Sequence, residues 1–190
     1  LRTWIARGIF CGPMRWWESS LSHITQLGFN AIHLLPLTQC GPSQSPYAAH
    51  DLFCIDEGYS ESKNKTEGFR QLSQFAEQCR RLGIALIVDL VFNNIGRESR
   101  MVTEHPAWIA SDENETDGIK RAGFSDGSMW HKWEDTALIQ YNPQESVEKD
   151  KLWHAMGEYA ILWAQFAALT GGGIRLDNLH SSDENFILWV

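Results

Sequence analysis

Two short runs of almost unbroken apolar residues, 31–37 (AIHLLPL) and 84–92 (IALIVDLVF), each follow directly on a segment with helical spacing. A strand open to water on one face alternates apolar with polar residues, so an unbroken run reads as a strand buried on both faces, as in a parallel sheet covered by helices. Over 16–27 the residues Trp17, Leu21, Ile24 and Leu27 recur on one helical face, and Gly28 falls where a left-handed C-terminal cap belongs. Over 66–82, Thr66 can cap a helix whose Phe69, Leu72, Phe75, Cys79 and Leu82 share a face before Gly83 ends it. A third helix starts with Asn142 as N-cap, Pro143 at the first helical position and Glu145 three residues after the cap, and runs to about Thr170. Gly171-Gly172-Gly173 breaks it, and 173–179 (GIRLDNL) reads as another buried strand. With an opening strand over 5–10 and a fourth helix starting near Ser182, the strand–helix unit occurs four times. Such alternation implies an α/β fold with a parallel sheet and right-handed crossovers that put the helices outside it.

The chain has 190 residues, short of the roughly 250 of a complete eight-fold βα barrel. Its net charge of −8 repels phosphate backbones and anionic lipid, which argues against nucleic acid as a partner. No apolar stretch approaches the roughly 20 residues that cross a bilayer, so no membrane span is expected and the chain reads as soluble. Cys11, Cys40, Cys54 and Cys79 lie 29, 14 and 25 residues apart and form no Cys-x-x-Cys pair, so reduced structural thiols are the default. That leans slightly toward a cytoplasmic setting and does not fix one. Asn64-Lys65-Thr66 and Asn114-Glu115-Thr116 match the glycosylation acceptor pattern, which matters only in a secreted protein.

Residues 94–141 form a long polar excursion after the third strand, holding Trp108, Trp130, Trp133 and many acidic residues. A connection of that length is functional or a small subdomain. It is not an EF-hand, because the acidic run 112–117 has Asp where the turn demands Gly. The chain therefore divides into 1–93, with three strands and their helices; 94–141, the insertion; and 142–190, with the third helix, the fourth strand and the start of a further helix.

Chemistry concentrates at the expected strand ends. Residues two apart on a strand point the same way, so Arg175 and Asp177 share a face near the C-terminal end, where α/β folds bind ligands. A buried Arg needs acidic partners, and Asp177 and Asp89 are the candidates. Arg175 would keep Asp177 ionised, as a nucleophile requires. Residue types alone leave open a second reading, in which the three form only a polar plug in the core.

The strings 89–94 (DLVFNN) and 173–178 (GIRLDN) resemble two signature segments of the α-amylase family of glycoside hydrolases and transglycosidases. In that family the first ends the third barrel strand, the second ends the fourth, and an irregular insertion lies between them. Residues 28–37 (GFNAIHLLPL), 45–47 (SPY), 51–56 (DLFCID) and 105–108 (HPAW) follow the family's order as well. The resemblance, over about 5–182, implies strands 1–4 of a (β/α)8 TIM barrel with a long insertion after strand 3, acting on an α-glucan or maltooligosaccharide. It also implies that Asp177 is the catalytic nucleophile of a retaining reaction and Arg175 the arginine that holds it charged. Asp89 matches the aspartate beside that arginine and joins Tyr47, Asn94 and His180 among the expected substrate-side residues. Tyr47 looks like the aromatic that stacks on the sugar; a loop aromatic packing locally is the alternative. Asn93 matches a position that in many members ligates a structural calcium, and a strand-end cap is its other reading. No other cofactor is implied.

The sequence departs from the family pattern in three places. Asn94 stands where most members carry a His that contacts sugar hydroxyls. After Asp177 the chain reads Asn178-Leu179-His180-Ser181, which is similar to the glucanotransferase domain of glycogen debranching enzymes and points to a debranching-type transferase or hydrolase. Retaining hydrolysis also needs a second carboxyl about 5 to 5.5 Å from the nucleophile, which the family supplies as a Glu ending the fifth strand. Glu184 follows Asp177 too closely to be that residue, so the acid/base Glu is expected past Val190, in the remaining half of the barrel. The 190-residue chain alone is then expected to be inactive, with two open sheet edges prone to association. A non-catalytic member that binds glucan or a protein partner is the alternative, and a metal-dependent barrel using Asp89 and Asp177 is a third. Among the nine tryptophans, Trp153 and Trp163 read as helix packing, and Trp108, Trp130 and Trp133 as sugar-stacking candidates.

Overall fold

The computed structural model describes residues 3–5, 12–60, 62 and 64–190. In chain order the elements are β1 (Thr3–Ile5), α1 (Glu18–Gln26), β2 (Ala31–Leu34), β3 (Thr38–Cys40), β4 (Ala49–Ile55), α2 (Lys65–Arg81), β5 (Ala85–Val91), β6 (Asn94–Gly96), α3 (Arg100–Glu104), β7 (Gly123–Ser125), β8 (Trp130–Lys132), β9 (Thr136–Leu138), α4 (Ser146–Ala168), β10 (Gly173–Asp177) and α5 (Glu184–Trp189). The expected opening strand lies, after residue 5, outside the described residues. Among the described residues no helix is long and apolar enough to cross a membrane.

A four-stranded sheet has the order β1-β2-β5-β10, which is also their order in the chain. β1 pairs parallel with β2, and β2 parallel with β5, in the register Ala31↔Ala85 to Leu34↔Val88. The apolar runs that suggested doubly covered strands are buried as expected: Ile32, Leu34, Leu86, Val88 and Leu90 have 2% exposure or less. β10 differs. It ends the order with one neighbour, and Ile174 is 45% exposed.

Two compact units divide the chain, each assembled from three separated stretches, whereas 1–93, 94–141 and 142–190 are divisions along it. The first comprises Leu1–Gln39, Phe53–Leu90 and Ala160–Leu176. Here α1 follows a 3-10 turn at Met14–Trp16 and ends at Gly28, whose φ of +80° is the expected left-handed cap. Trp17 packs edge-on against Phe75 and Tyr59, with centroids at 5.3 and 5.4 Å. The N-cap of α2 is Asn64, whose Oδ1 accepts from the Thr66 amide at 2.9 Å. That corrects the expectation of Thr66 as cap: Thr66 lies inside the helix and supplies the amide. Trp163 is fully buried, as its packing assignment requires. Gly172 is demanded by contact, since a Cβ there would lie 1.8 Å from the Leu86 carbonyl oxygen. Next to it Thr170 Oγ1 accepts from the Leu86 amide at 2.8 Å, tying the turn before β10 to β5.

The second unit comprises Cys40–Leu52, Val91–Tyr159 and Asp177–Val190. The polar excursion is a set of small antiparallel pieces: β6 with β9 and β7 with β8. Its core gathers Phe92, Tyr141, Tyr159 and Phe186, with Tyr141 stacked on Phe186 at 4.5 Å and its hydroxyl donating to the Phe92 carbonyl at 2.8 Å. Burial pushes the Tyr141 phenol well above its ordinary pKa. α4 begins at Ser146, three residues after the expected Pro143, because the Asn142 side chain is engaged elsewhere: its Nδ2 donates to Asp183 and its Oδ1 accepts from Lys149.

Candidate active site

Two of the residues singled out from sequence, Asp89 on β5 and Arg175 on β10, meet each other in the first unit. Asp89, late on β5, has a fully buried carboxylate whose Oδ2 lies 3.0 Å from His33 Nε2 and accepts from Arg175 Nη1 at 2.5 Å. A carboxylate only accepts, so His33 presents its Nε2–H. His33 comes from β2, one strand over, and sequence reasoning did not mark it; its place in the apolar run 31–37 was the available signal. The Arg175–Asp89 pairing is the one expected, but the Arg175 side chain is 43% exposed and not buried. The cause is the terminal place of β10, which leaves one side of the strand uncovered. With no surface of its own, Asp89 is placed to fix Arg175 and His33 and not to meet a sugar.

Asp177 ends β10 and lines a cavity of about 370 Å³ together with Ser45, Tyr47, Asn94, Trp133, Asp135, Thr136 and Asn178. The strand stops here because Asn178 takes a left-handed conformation, φ +49°, which Asn tolerates better than most residues. Its carbonyl then accepts from the hydroxyls of Ser181 and Ser182, closing a tight turn. Tyr47 sits in the loop between β3 and β4. Asn94 is 3% exposed, and its Nδ2 donates to the Tyr47 carbonyl at 2.8 Å. The residue at the family's His position thus holds the loop that presents the aromatic.

Asn93 and His180 lie away from this cavity's lining. His180 is exposed in the 3-10 turn Leu179–Ser181. Asn93 lines a different cavity, of about 410 Å³. Its Nδ2 donates to Ser181 Oγ at 3.1 Å, and its buried Oδ1 has no hydrogen-bond partner. A lone carbonyl oxygen suits calcium, which takes six to eight oxygen ligands, but the rest of the lining does not. Lys120, Arg121 and Lys132 outnumber Asp112 and Glu115 there. Glu115 already accepts from Lys132, and Asp112 from Asn114. Among the described residues no three His, Cys, Asp or Glu side chains are grouped to hold a metal. These residues do not fit a calcium ion.

The tryptophans of the insertion separate. Trp108 is 5% exposed, stacks on His105 at 3.9 Å and donates through Nε1 to Glu148, so it is a packing residue and no sugar platform. Trp130 is exposed and lines the cavity at Asn93, and Trp133 lines that of Asp177. Asp135 beside it was not marked from sequence, where one acid among many carries no signal. The insertion is braced by Asp117, which accepts from the buried Arg121 at 2.7 Å and pairs with Arg97 at 2.9 Å. The Arg121 hydrogen bond holds the Asp117 carboxyl below its ordinary range, with Arg97 adding to it.

Residues 1–115 match the family described as glycogen debranching enzyme, glucanotransferase domain. The glycogen debranching enzyme of Saccharomyces cerevisiae is 32% identical over 90 residues, which are 47% of this chain and 6% of that enzyme. A maltogenic α-amylase of Thermotoga neapolitana superposes with a TM-score of 0.72 at 21% identity, covering 98% of this chain and 40% of the amylase. An α-amylase of Lactobacillus plantarum gives a TM-score of 0.71 at 23% identity, covering 93% and 37%. The chain therefore has the α/β fold of the α-amylases and spans well under half the length of each of these proteins.

Proposed function

The chain belongs to the family of the glucanotransferase domain of glycogen debranching enzymes, and from that premise we propose that it forms strands 1–4 of the catalytic (β/α)8 barrel of a retaining enzyme acting on α-glucans. The observation that carries this reading is the position of Asp177, at the C-terminal end of β10 in a cavity that also holds Tyr47, Asn94 and Trp133. A carboxylate beside aromatic rings suits a sugar, because ring faces cover C–H groups while polar neighbours take the hydroxyls.

In the reaction the Asp177 carboxylate attacks the anomeric carbon as the bond to the leaving oxygen breaks, and that oxygen takes a proton from a general acid. The same acid residue, now a base, then removes a proton from the incoming water or sugar hydroxyl, which displaces Asp177 with net retention. Arg175, held by Asp89, is the positioning residue for the nucleophile, and Tyr47 stacks on the glucosyl ring. The acid/base is a Glu ending the next barrel strand, so the 190-residue chain alone does not turn over glucan. Its partners are then the α-glucan and the remaining half of the barrel.

The test is covalent trapping. The full gene product, incubated with a fluorinated glucosyl donor that acylal-links slowly and hydrolyses more slowly still, should carry one glycosyl unit on the peptide that contains Asp177, and Asp177→Asn should carry none and lose turnover. A label on another residue, or unchanged turnover in Asp177→Asn, removes the nucleophile assignment. A glucan-binding protein without catalysis is the second reading, favoured by Asn94 in place of His; it would bind maltohexaose yet never label.

A further inference from the structure

The turn 133–136 at the entry to β9 is pinned on all sides. The Trp133 amide donates to the Ala122 carbonyl at 2.9 Å, and the Trp133 carbonyl accepts from the Thr136 hydroxyl at 2.8 Å. The Thr136 oxygen in turn accepts from the Ala122 amide at 3.1 Å, and the Arg97 amide donates to the Asp135 carbonyl at 2.8 Å. The Trp133 ring rests against Phe124, with centroids at 6.1 Å. So fixed, the turn contributes two side chains to the cavity of Asp177: the half-buried Trp133 and the half-buried Asp135.

Asp135 differs from its neighbours. Asp112, Glu115, Asp117 and Asp126 each have a hydrogen-bond partner in Asn114, Lys132, Arg121 and His131. Among the described residues the Asp135 carboxylate has neither a hydrogen bond nor an ion pair. It is the insertion's one acid in that cavity. A carboxylate accepts from two adjacent hydroxyls at once, and an indole face covers the C–H face of a pyranose. The backbone of the turn and the Trp133 ring are already held, and that spares entropy a mobile loop would lose.

We propose that Trp133 and Asp135 form a subsite for the glucosyl unit adjoining the one that Asp177 attacks, Trp133 stacking on the ring and Asp135 accepting from its hydroxyls. The inference rests on the reading of Asp177 as a glucan nucleophile. It makes the insertion, and not the sheet alone, a determinant of how well a chain of several sugars is held. A glucosyl unit that only fills the place at Asp177 gains nothing from this turn, whereas a longer maltooligosaccharide does.

The experiment compares the full gene product with Trp133→Ala, Trp133→Tyr and Asp135→Asn on maltohexaose. Loss of one well-ordered ring contact corresponds to roughly a tenfold change in affinity. Trp133→Ala should raise KM by about that factor with much less effect on kcat, Trp133→Tyr should restore most of it, and Asp135→Asn should raise KM by a few-fold. Unchanged KM in Trp133→Ala and Asp135→Asn, or a loss confined to kcat, overturns the subsite. If Trp133→Ala does not fold, Trp133→Leu, which keeps an apolar side chain but no ring, and Asp135→Asn decide by the same criterion. The parent reading is separated by calorimetry of maltohexaose on Asp177→Asn protein. Weaker binding on adding Trp133→Ala or Asp135→Asn supports the subsite whatever Asp177 does, and unchanged binding in both overturns it even where Asp177 proves essential.

Discussion

Asn94 Nδ2 donates a 2.8 Å hydrogen bond to the carbonyl oxygen of Tyr47. The two residues are 47 apart in sequence, and the bond makes the Tyr47 loop depend on the residue that opens β6. Deleting a buried donor while its acceptor stays enclosed costs about 1–3 kcal/mol. Asn94→Ala is accordingly expected to lower the melting temperature of the full gene product and to weaken maltohexaose binding through a looser Tyr47. Asn94→His, which restores the residue most α-amylases have, brings a larger ring into a site with 3% exposure and should cost about 1–3 kcal/mol by overpacking. A gain of activity in Asn94→His would show that the position faces sugar and does not serve the loop.

Asp89 holds two partners from two strands, His33 on β2 and Arg175 on β10. Removing it takes the same carboxylate from both. Breaking a buried pair by deleting one member costs about 3–5 kcal/mol, and the lower end applies because Arg175 is partly exposed. Asp89→Ala should therefore shift the urea midpoint strongly, while Asp89→Asn, which keeps an acceptor oxygen, should fall between. Activity should drop in both, through Arg175. A variant as stable as the wild type would mean that the cluster does no structural work.

The repeated strand–helix order could be read from residue spacing because it rests on local signals: unbroken apolar runs, one-faced helices and Gly28 and Gly83 as stops. Where side chains serve partners far along the chain, spacing misled. Asn142 has the residue type of an N-cap, yet its amide goes to Asp183 and Lys149, and nothing near position 142 announces that. The β3 and β4 strands escaped notice because neither shows a burial alternation; β4 runs buried, half, half, buried. The site divides in the same way. Tyr47, Asn94, Arg175, Asp89 and Asp177 lie in strings with a recognisable order, while Trp133 was one of three equivalent tryptophans and Asp135 one acid among many. His33 was hidden in an apolar run. Their selection is a matter of which turns face which cavity, and that is decided by long-range packing.

The cavity at Asn93 bears on metal dependence. Three cationic side chains against two carboxylates, one of them already bound to Lys132, oppose a divalent cation. Dialysis against chelator, or addition of millimolar calcium chloride, should leave the melting temperature unchanged. A rise with calcium that saturates would instead mean that Asn93 Oδ1 and the two acids rearrange to enclose the ion. Arg121→Met provides the complement: it removes the bond to Asp117 from a side chain with 3% exposure, and should destabilise the insertion while leaving the chelator result as it was.

Acid should act on the insertion through Asp117. The hydrogen bond from Arg121, aided by Arg97, holds its carboxyl below the ordinary value of 3.8 in the folded protein. A depressed folded pKa means that the unfolded chain takes up the proton first, so the stabilisation is fully present above about pH 4 and is lost as pH falls through the folded value. Each Asp117 protonated loses its charge pairing with two arginines; one of them, Arg121, is buried, and among the described residues its next carboxylate is Glu134 at 4.0 Å. Unfolding of the protein is followed by circular dichroism at each pH. Between pH 5 and pH 2 the wild type should therefore lose stability more steeply than Asp117→Asn, which starts lower at pH 7 and has no proton to take up at this position. Parallel curves for the two proteins would move the acid sensitivity to another carboxylate, with Asp126, held down by His131 and Ser128, the next to substitute.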